Sequence, residues 1–350
     1  MTGAVSTLRA AQAHRAPGRS RRVLAASVSA AVALALGLVA LGIGDYPLSI
    51  AQVVHALVHD DGFATTVVVQ WRLPRVAAAL VFGAALGVSG ALFQSLTRNP
   101  LGSPDVIGFS SGSYTGVLIG ITLLPGLGIA TGIWALAGGI LSALIVYLLA
   151  YRRGVHGIRL IVTGIGVTAM LQALNVWLQL RAQTDVAMTA SFWAAGSLGT
   201  VAWPGLWLTF AALAACAVLV LAAIRPLRQL ELGDDHAAAH GLRVEAARLG
   251  IVVLGVVLTA LPTAVAGPIA FVALASPQVS KRLAGGAGLP IGQSALTGAV
   301  LLLASDQLAQ HALPQEIPVG IVTIVLGGLY LIALLARGAR GPRGVRGGRA

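Results

Sequence analysis

The chain has 350 residues, of which 57% are hydrophobic and only 10% are charged. A soluble domain usually carries about 25% charged residues, so this composition excludes an ordinary soluble protein. The net charge of +12 does not indicate a nucleic-acid partner, because the basic residues lie in short segments between apolar runs, where they set membrane topology. The single cysteine, Cys216, excludes an intrachain disulfide.

Apolar runs of about 20 residues recur along the sequence, and each is long enough to cross a bilayer as a helix. Lipid offers the backbone no hydrogen-bond partners, and the runs do not alternate with polar residues, so helices are predicted rather than barrel strands. The sequence therefore predicts an all-α integral membrane protein with about ten transmembrane helices, near residues 23–43, 75–95, 105–124, 128–150, 158–180, 204–224, 248–266, 268–283, 291–311 and 318–337. The eighth is short and interrupted by Pro268 and Pro277, so nine crossings remain an alternative.

Basic residues predict the orientation. Arginines precede the first span and follow the last, whereas the segments on the other side hold only Arg72, Arg75 and Arg181. Because basic loops stay in the cytoplasm, both termini are predicted to be cytoplasmic, in a multi-pass protein of the cell membrane. The predicted organisation is a basic tail at 1–22, a polytopic membrane domain at 23–337 and a Gly/Arg-rich tail at 338–350. A cleaved signal peptide is the alternative for the N-terminus, but its apolar core would be shorter than this first span.

Glycines recur every four residues in the third span, at Gly108, Gly112, Gly116 and Gly120. This spacing places them on one helix face, where small residues let two helix backbones approach closely. Tight packing within the subunit is the favoured interpretation, and a face lining a transport path is the alternative.

The segment 225–247 is the longest polar stretch on the predicted cytoplasmic side. Asp234 to His240 is predicted to form a short helix, with acidic residues at its start and Gly241 after its end. Such a helix could dock into a groove of a soluble partner, or it could be a solvated connector. His236 and His240 lie four residues apart but lack the pattern of a zinc motif, so no metal site is predicted.

Two polar residues lie inside apolar spans. Asp306 is costly in lipid and is predicted to face protein or water, and Asn175 in the fifth span calls for the same placement. A structural hydrogen bond is the favoured role for Asp306, and a proton relay is the alternative.

The chain has one lysine, Lys281, in the sequence Ser-Lys-Arg. A phosphate-binding P-loop requires Gly-Lys followed by Ser or Thr, so no ATP site is predicted in this chain. The sequence also shows no catalytic triad or paired carboxylates, which argues against an intramembrane enzyme.

Several ordered motifs resemble those of the FecCD/BtuCD-type permeases, which import iron–siderophores, haem and cobalamin. The resemblance covers roughly residues 20–337, and its motifs are Arg72-Leu73-Pro74-Arg75, Gly83 to Gln94, Arg98-Asn99-Pro100-Leu101, Leu232-Gly233-Asp234, Ala304-Ser305-Asp306 and Glu316-Ile317-Pro318-Val319-Gly320.

The resemblance implies a type II ABC importer permease fold. It implies a second permease subunit, as a homo- or heterodimer, two cytoplasmic ABC ATPase subunits and an extracytoplasmic substrate-binding protein, all assembled on a lipid bilayer. It assigns ATPase coupling to the segment 225–247, at Leu232, Gly233, Asp234, Ala237 and Gly241, and docking of the binding protein to Arg72 and Arg75. Pathway or packing roles fall to Gly108, Gly112, Gly116, Asn175 and Asp306.

Some positions depart from the family pattern. A third docking arginine is expected in some members where this chain has Gln310, and Gln278 stands where a histidine is frequent. A heterodimeric pairing would account for such differences. The resemblance predicts a transport subunit that binds no cofactor itself, with ATP used by the partner ATPase. An ion-coupled secondary transporter that uses Asp306 is the alternative.

Overall fold

The computed structural model describes residues 19–151, 157–285, 290–312 and 315–338. Most of the basic tail at 1–22 and nearly all of the tail at 338–350 lie outside the described residues. Within the described ranges the regular structure is entirely helical. In chain order the helices are α1 Arg19–Gly42, α2 Ile50–Val58, α3 Phe63–Thr97, α4 Phe109–Leu123, α5 Thr131–Ala150, α6 Gly157–Arg181, α7 Thr184–Ala194, α8 Trp203–Leu232, α9 Asp234–Ala239, α10 Val244–Ala266, α11 Val272–Ala284, α12 Ile291–His311 and α13 Val319–Gly338.

The helices confirm the predicted fold class, and a helix lies at each of the ten predicted spans. Six helices of the described chain are long and apolar enough to cross a membrane alone, namely α1, α3, α5, α6, α8 and α10. The eighth predicted span corresponds to α11, which has 13 residues and is therefore about 20 Å long, less than the roughly 30 Å of bilayer hydrocarbon. It begins only at Val272, because Gly267 and Phe271 have left-handed backbone conformations, with φ of 74° and 66°.

The second predicted span begins earlier than expected. The sequence predicts this span near residues 75–95, but α3 runs unbroken from Phe63 through Pro74. Proline lacks the amide that would bond to the preceding turn. The preceding stretch Thr66–Arg72 is a wider π-helix, in which the Leu73 amide donates to the carbonyl of Val68. This widening lets the helix continue past Pro74, so Arg72 and Arg75 are helical residues and not loop residues.

Helices α3 and α12 form the centre of the bundle. Of the six long apolar helices, α3 is the most buried. Helix α12 is not among those six, and its polar residues are buried, among them Gln293, Ser294, Thr297, Ser305 and Asp306. A helix shielded from lipid on most sides can carry such residues, provided that the protein supplies their hydrogen bonds.

Glycines set the distance between the two central helices. A methyl group at Gly298 of α12 would overlap the carbonyl oxygen of Gly83, and one at Gly87 of α3 would overlap the carbonyl oxygen of Ser294. Gly292, on the same helix α12, has open space at the corresponding position. The contact between α3 and α12 therefore depends on particular glycines and not on glycine content in general.

We expect Gly298→Ala to destabilise the protein by about 1–3 kcal/mol, because the added methyl group must push α3 and α12 apart. Gly292→Ala is the matched control, and it should be neutral or stabilise by up to about 1 kcal/mol through its better helix propensity. Thermal unfolding in a single detergent compares the two variants. Equal midpoints for both would contradict the close approach of the helices.

Candidate functional site

The first candidate site is a cluster around Arg75, defined by Arg75, Asp306, Gln310 and Glu316. The Arg75 guanidinium donates to both carboxylate oxygens of Asp306, with Nε to Oδ2 at 3.0 Å and Nη2 to Oδ1 at 3.1 Å. The Gln310 side-chain amide donates to Oδ2 of Asp306 at 2.8 Å. The Asp306 side chain is fully buried, so these donors replace the solvent that the carboxylate has lost. The pair joins α3 to α12 across 231 positions of sequence.

The remaining nitrogen of Arg75 faces the edge of this cluster. Its Nη1 lies 3.7 Å from Oε2 of Glu316, whose side chain is 68% exposed. Arg75 and Glu316 both line a cavity of about 400 Å³, together with Phe192, Trp193 and Pro318. The Arg75 side chain is only 17% exposed, so most of its hydrogen-bonding capacity is used inside the subunit.

Arg72 lies one turn before Arg75 and has a different set of partners. Its two terminal nitrogens donate to the backbone carbonyls of Leu41 at 2.9 Å and Tyr46 at 2.8 Å. Leu41 belongs to the last turn of α1, where carbonyls lack helical partners. Arg72 therefore holds the end of α1 and the following turn against α3.

The second candidate site is a cluster around Asp234, defined by Arg98, Asp234, Glu245 and Arg248. Gly233 separates α8 from α9 with φ of 126° and ψ of 152°, a conformation that only glycine adopts readily. Asp234 then opens α9, and its Oδ2 lies 2.8 Å from Nη2 of Arg248 on α10. The other nitrogen of Arg248 binds Glu245 at 2.7 Å, so this nearly buried arginine has a carboxylate on each side.

Arg98, at the end of α3, connects this cluster to the core. Its backbone is left-handed, with φ of 49°, and its Nη2 donates to the carbonyl of Leu230 at 2.6 Å and lies 3.4 Å from Asp234. In the preceding turn, Ser95 donates to the carboxylate of Glu231. Helix α9 is thus fastened to α10 through Asp234 and Arg248, and its base is fastened to α3.

The outward surface of α9 has few side-chain contacts with the rest of the subunit. Ala237 is fully buried against the bundle, and the Leu242 amide donates to its carbonyl at 3.0 Å. Gly241 follows in a left-handed conformation, with φ of 79°. The opposite side exposes Leu232, at 71%, and the residues Asp235, His236, Ala238 and His240. In the described part of the chain, no group of three potential metal ligands includes these histidines.

Four of the five predicted pathway or packing residues meet between α4, α5 and α6, whereas Asp306 lies in the Arg75 cluster. Asn175 of α6 accepts a hydrogen bond from Thr115 of α4 at 2.7 Å and donates to the carbonyl of Ser111 at 3.3 Å. Methyl groups at Gly112 and Gly116 would overlap α5 at Ser142 and Trp134, and the Gly108 carbonyl accepts from Ser142 at 3.0 Å. All four residues therefore lie in contacts between helices of this subunit.

Sequence reasoning found some members of each cluster and missed others. Arg75, Asp306 and Asp234 were singled out, but the pairing of Arg75 with Asp306 was not foreseen. Glu245 and Arg248 were not assigned to a site, although a basic residue at the head of an apolar helix was a usable signal. Arg98 was noted only as part of the motif Arg98-Asn99-Pro100-Leu101.

With six described helices long and apolar enough to cross a membrane, the fold is that of a multi-pass membrane protein. The model of the FecCD transport family matches residues 32–337, and the chain belongs to that family. It is 49% identical over 307 residues to the ferric enterobactin transport system permease protein FepG of Escherichia coli K12, covering 86% of this chain and 92% of that protein. It is 36% identical over 283 residues to the iron(3+)-hydroxamate import system permease protein FhuG of Bacillus subtilis, covering 77% and 84%.

A solved structure agrees with this assignment. The fold matches an inward-facing conformation of a putative metal-chelate type ABC transporter with a TM-score of 0.77 and 28% identity, covering 90% of this chain and 99% of that one. The chain is therefore a permease subunit of the ABC importer class, and members of this family are transport subunits rather than enzymes.

The burial of the Arg75–Asp306 pair predicts that replacing either residue alone lowers stability by unequal amounts. Arg75→Leu leaves a carboxylate buried without its counter-charge and should cost about 3–5 kcal/mol of stability. Asp306→Leu should cost less, because Arg75 keeps Glu316 and some solvent. The double variant should be more stable than Arg75→Leu alone, measured by thermal unfolding in one detergent. If the double variant lost as much stability as the two single variants combined, the two residues would not be energetically coupled.

Proposed function

We propose that this chain is the permease subunit of an ATP-driven importer for a ferric siderophore or a related metal chelate, delivered by an extracytoplasmic binding protein. The observation that carries the proposal is the 49% identity to a ferric enterobactin permease over 92% of that protein's length. The name of the second relative, an iron(3+)-hydroxamate permease, supports an iron chelate as the ligand class.

The proposed domain runs from 23 to 337, with both termini in the cytoplasm. Arg21, at the start of α1, donates to the carbonyls of Leu283 at 3.3 Å and Arg282 at 3.2 Å, at the end of α11. These contacts bring basic residues from both parts of the chain to one end of the bundle. A shared basic end supports placing it at the cytoplasmic face.

A second permease subunit is proposed to lie against α6. Only a small part of this helix is buried, and its free face includes Ile165, Met170 and Val176, which are 59%, 74% and 58% exposed. The same helix exposes Gln172 near its middle, and a polar side chain is costly against lipid. A partner permease, identical or different, with the ligand path between the two subunits, would remove this cost. In this arrangement α4 and α5 pack behind the path, through contacts made by Gly108, Gly112, Gly116 and Asn175.

The ATPase is proposed to bind the exposed side of α9, with one ATPase subunit for each permease. The fastening of α9 to α3 and α10 supports this role, because a helix held by ion pairs can pass on a displacement, whereas a loose connector cannot. In this proposal Leu232 contacts the ATPase, Gly233 and Gly241 set the ends of the helix, Asp234 holds its base, and Ala237 seats it on the bundle.

We expect Asp234→Asn to lower ATP-dependent uptake of a ferric siderophore by about tenfold in vesicles that contain the permease, ATPase and binding protein. The reason is the loss of charge-assisted contacts to Arg248 and Arg98, worth about 1.5 kcal/mol or more. Uptake per ATP hydrolysed is the measurement, since uncoupling lowers this ratio while hydrolysis continues.

Asp185→Asn is the matched control for this variant. Asp185 lies at the start of α7 and not on the proposed ATPase surface; it is exposed, has no ion pair among the described residues and undergoes the same change of charge. Its coupling ratio should stay at the wild-type value. Equal ratios for the two variants would remove Asp234 from the coupling route.

Docking of the binding protein is proposed to use the positive charges of Arg72 and Arg75, as the family resemblance implies. The contacts limit how this can be tested, because Arg75 also neutralises buried Asp306 and its replacement would disturb the fold. Arg72 offers the cleaner test, since its partners are backbone carbonyls rather than a buried charge. An arginine with such partners keeps its full charge for an approaching carboxylate.

We expect Arg72→Gln to weaken binding of the substrate-binding protein by about two- to fivefold at low salt, as for loss of a surface ion pair. Arg72→Lys keeps the charge without the planar fork and should keep most of the affinity. Arg181→Gln is the control for general loss of outer charge. An equal loss of affinity in Arg72→Gln and Arg72→Lys would show that Arg72 holds α1 in place and does not dock the binding protein.

The alternative transporter, driven by protons through Asp306, is disfavoured by geometry. Both oxygens of Asp306 are bound by Arg75, and one of them also by Gln310. A proton carrier must release and rebind its proton as it alternates between the two sides, which a carboxylate held by a guanidinium does poorly.

A further inference from the structure

An apolar crevice of about 430 Å³ lies between α8 and α10. Its walls are small or aliphatic residues from both helices, among them Cys216, Leu219, Pro226, Gly250, Leu254 and Val257. Gly250 contributes space directly, because a methyl group there would meet no atom within 4 Å. The crevice takes no part in the Arg75 or Asp234 clusters.

The position of the crevice along α8 matches one leaflet of a bilayer. The aromatic residues Trp203 and Trp207 mark one end of the helix, and Arg225 marks the other, about 33 Å away at 1.5 Å per residue. That length is close to the roughly 30 Å thickness of bilayer hydrocarbon. The wall from Cys216 to Pro226 is about 15 Å long, so the crevice lies in the half of the membrane nearer to α9.

Unpaired positive charge lies at the α9 end of the crevice. Arg225, Arg228 and Arg243 are exposed, and none has a side-chain hydrogen bond or an ion pair within the described part of the chain. Arg243 precedes Ala247 by one helical turn, in line with the wall residues Ala247, Gly250 and Leu254 of α10. Arg225 flanks the same end from α8. An apolar slot one leaflet deep, ending in arginines, is complementary to a lipid with an acyl chain and a negative headgroup.

The chain's own remaining segments do not fit this slot. Residues 1–18 and 339–350 contain arginines and no acidic residue, so their charge has the same sign as that of the crevice end. Segment 339–350 also has only one large apolar residue, Val345, to place in an aliphatic slot.

We propose that the crevice binds one anionic phospholipid, with an acyl chain between α8 and α10 and the phosphate at Arg243 and Arg225. The ligand is identified by its chemistry alone, as an aliphatic chain joined to a negatively charged phosphodiester. Binding there does not depend on which chelate is transported, so the site stands apart from the proposed function.

The test uses photoreactive lipids on the full chain in phosphatidylcholine nanodiscs. A trace of phosphatidylglycerol or of phosphatidylcholine, each with the same diazirine-bearing acyl chain, is irradiated, and adducts are mapped by mass spectrometry. We expect peptides containing 216–226 and 247–257 to be labelled about fivefold more by phosphatidylglycerol, the selectivity conferred by one arginine near the membrane surface. Arg243→Gln should bring the two labelling yields close together.

Gly250→Leu should fill the crevice and remove labelling by both lipids, without a backbone clash and with better helix propensity. Gly205→Leu is the matched control, because Gly205 also has open space but lies at the opposite end of α8. Equal labelling by the two lipids in the unmodified chain would overturn the proposal. Labelling that persists in Gly250→Leu would also overturn the proposal. The same holds if a second copy of the chain, at a high protein-to-lipid ratio, protects the crevice from labelling.

Discussion

Polar side chains within this bundle must find their partners in the protein, because lipid offers none. Asp306 is the strictest case, since it is a fully buried carboxylate that Arg75 and Gln310 satisfy together. Gln94 follows the same rule by donating to the carbonyl of Leu274 at 3.0 Å, and Asn175 does so with Thr115. These contacts place α3 and α12 at the centre, while α1 and α6 are mostly exposed.

The central helix α3 also connects the two candidate sites. Arg75, in the first half of α3, is bound to α12, and Arg98 at the C-terminal end of α3 contacts Leu230 and Asp234 at the base of α9. The two arginines are about 35 Å apart along the helix at 1.5 Å per residue. In the proposed function, a displacement of α9 by the ATPase reaches the far end of the bundle along this one helix. The glycines that bring α3 close to α12 make the two helices move together.

Much of the fold could be predicted from the sequence, because the length of an apolar run can be read from consecutive residues. The ten apolar runs located helices, and the prolines around 268–277 indicated that α11 would be short. The predicted second span, near residues 75–95, missed the start of α3 at Phe63, because the π-helical turn that accommodates Pro74 has no sequence signature. The pairing of Arg75 with Asp306 joins residues 231 positions apart, so no local pattern contains it. The short helix α9 was predicted from its acidic start and Gly241, but its fastening to Arg98 and Arg248 depends on how three helices meet.

A permease that depends on a separate ATPase has no uphill transport of its own. The most direct measurement is uptake of the proposed ferric siderophore by vesicles that contain only this purified chain, with an imposed proton gradient and ATP on both sides. We expect the internal concentration never to exceed the external one, and we expect uphill accumulation once the ATPase and binding protein are added. Accumulation above the external concentration by the chain alone would contradict the account.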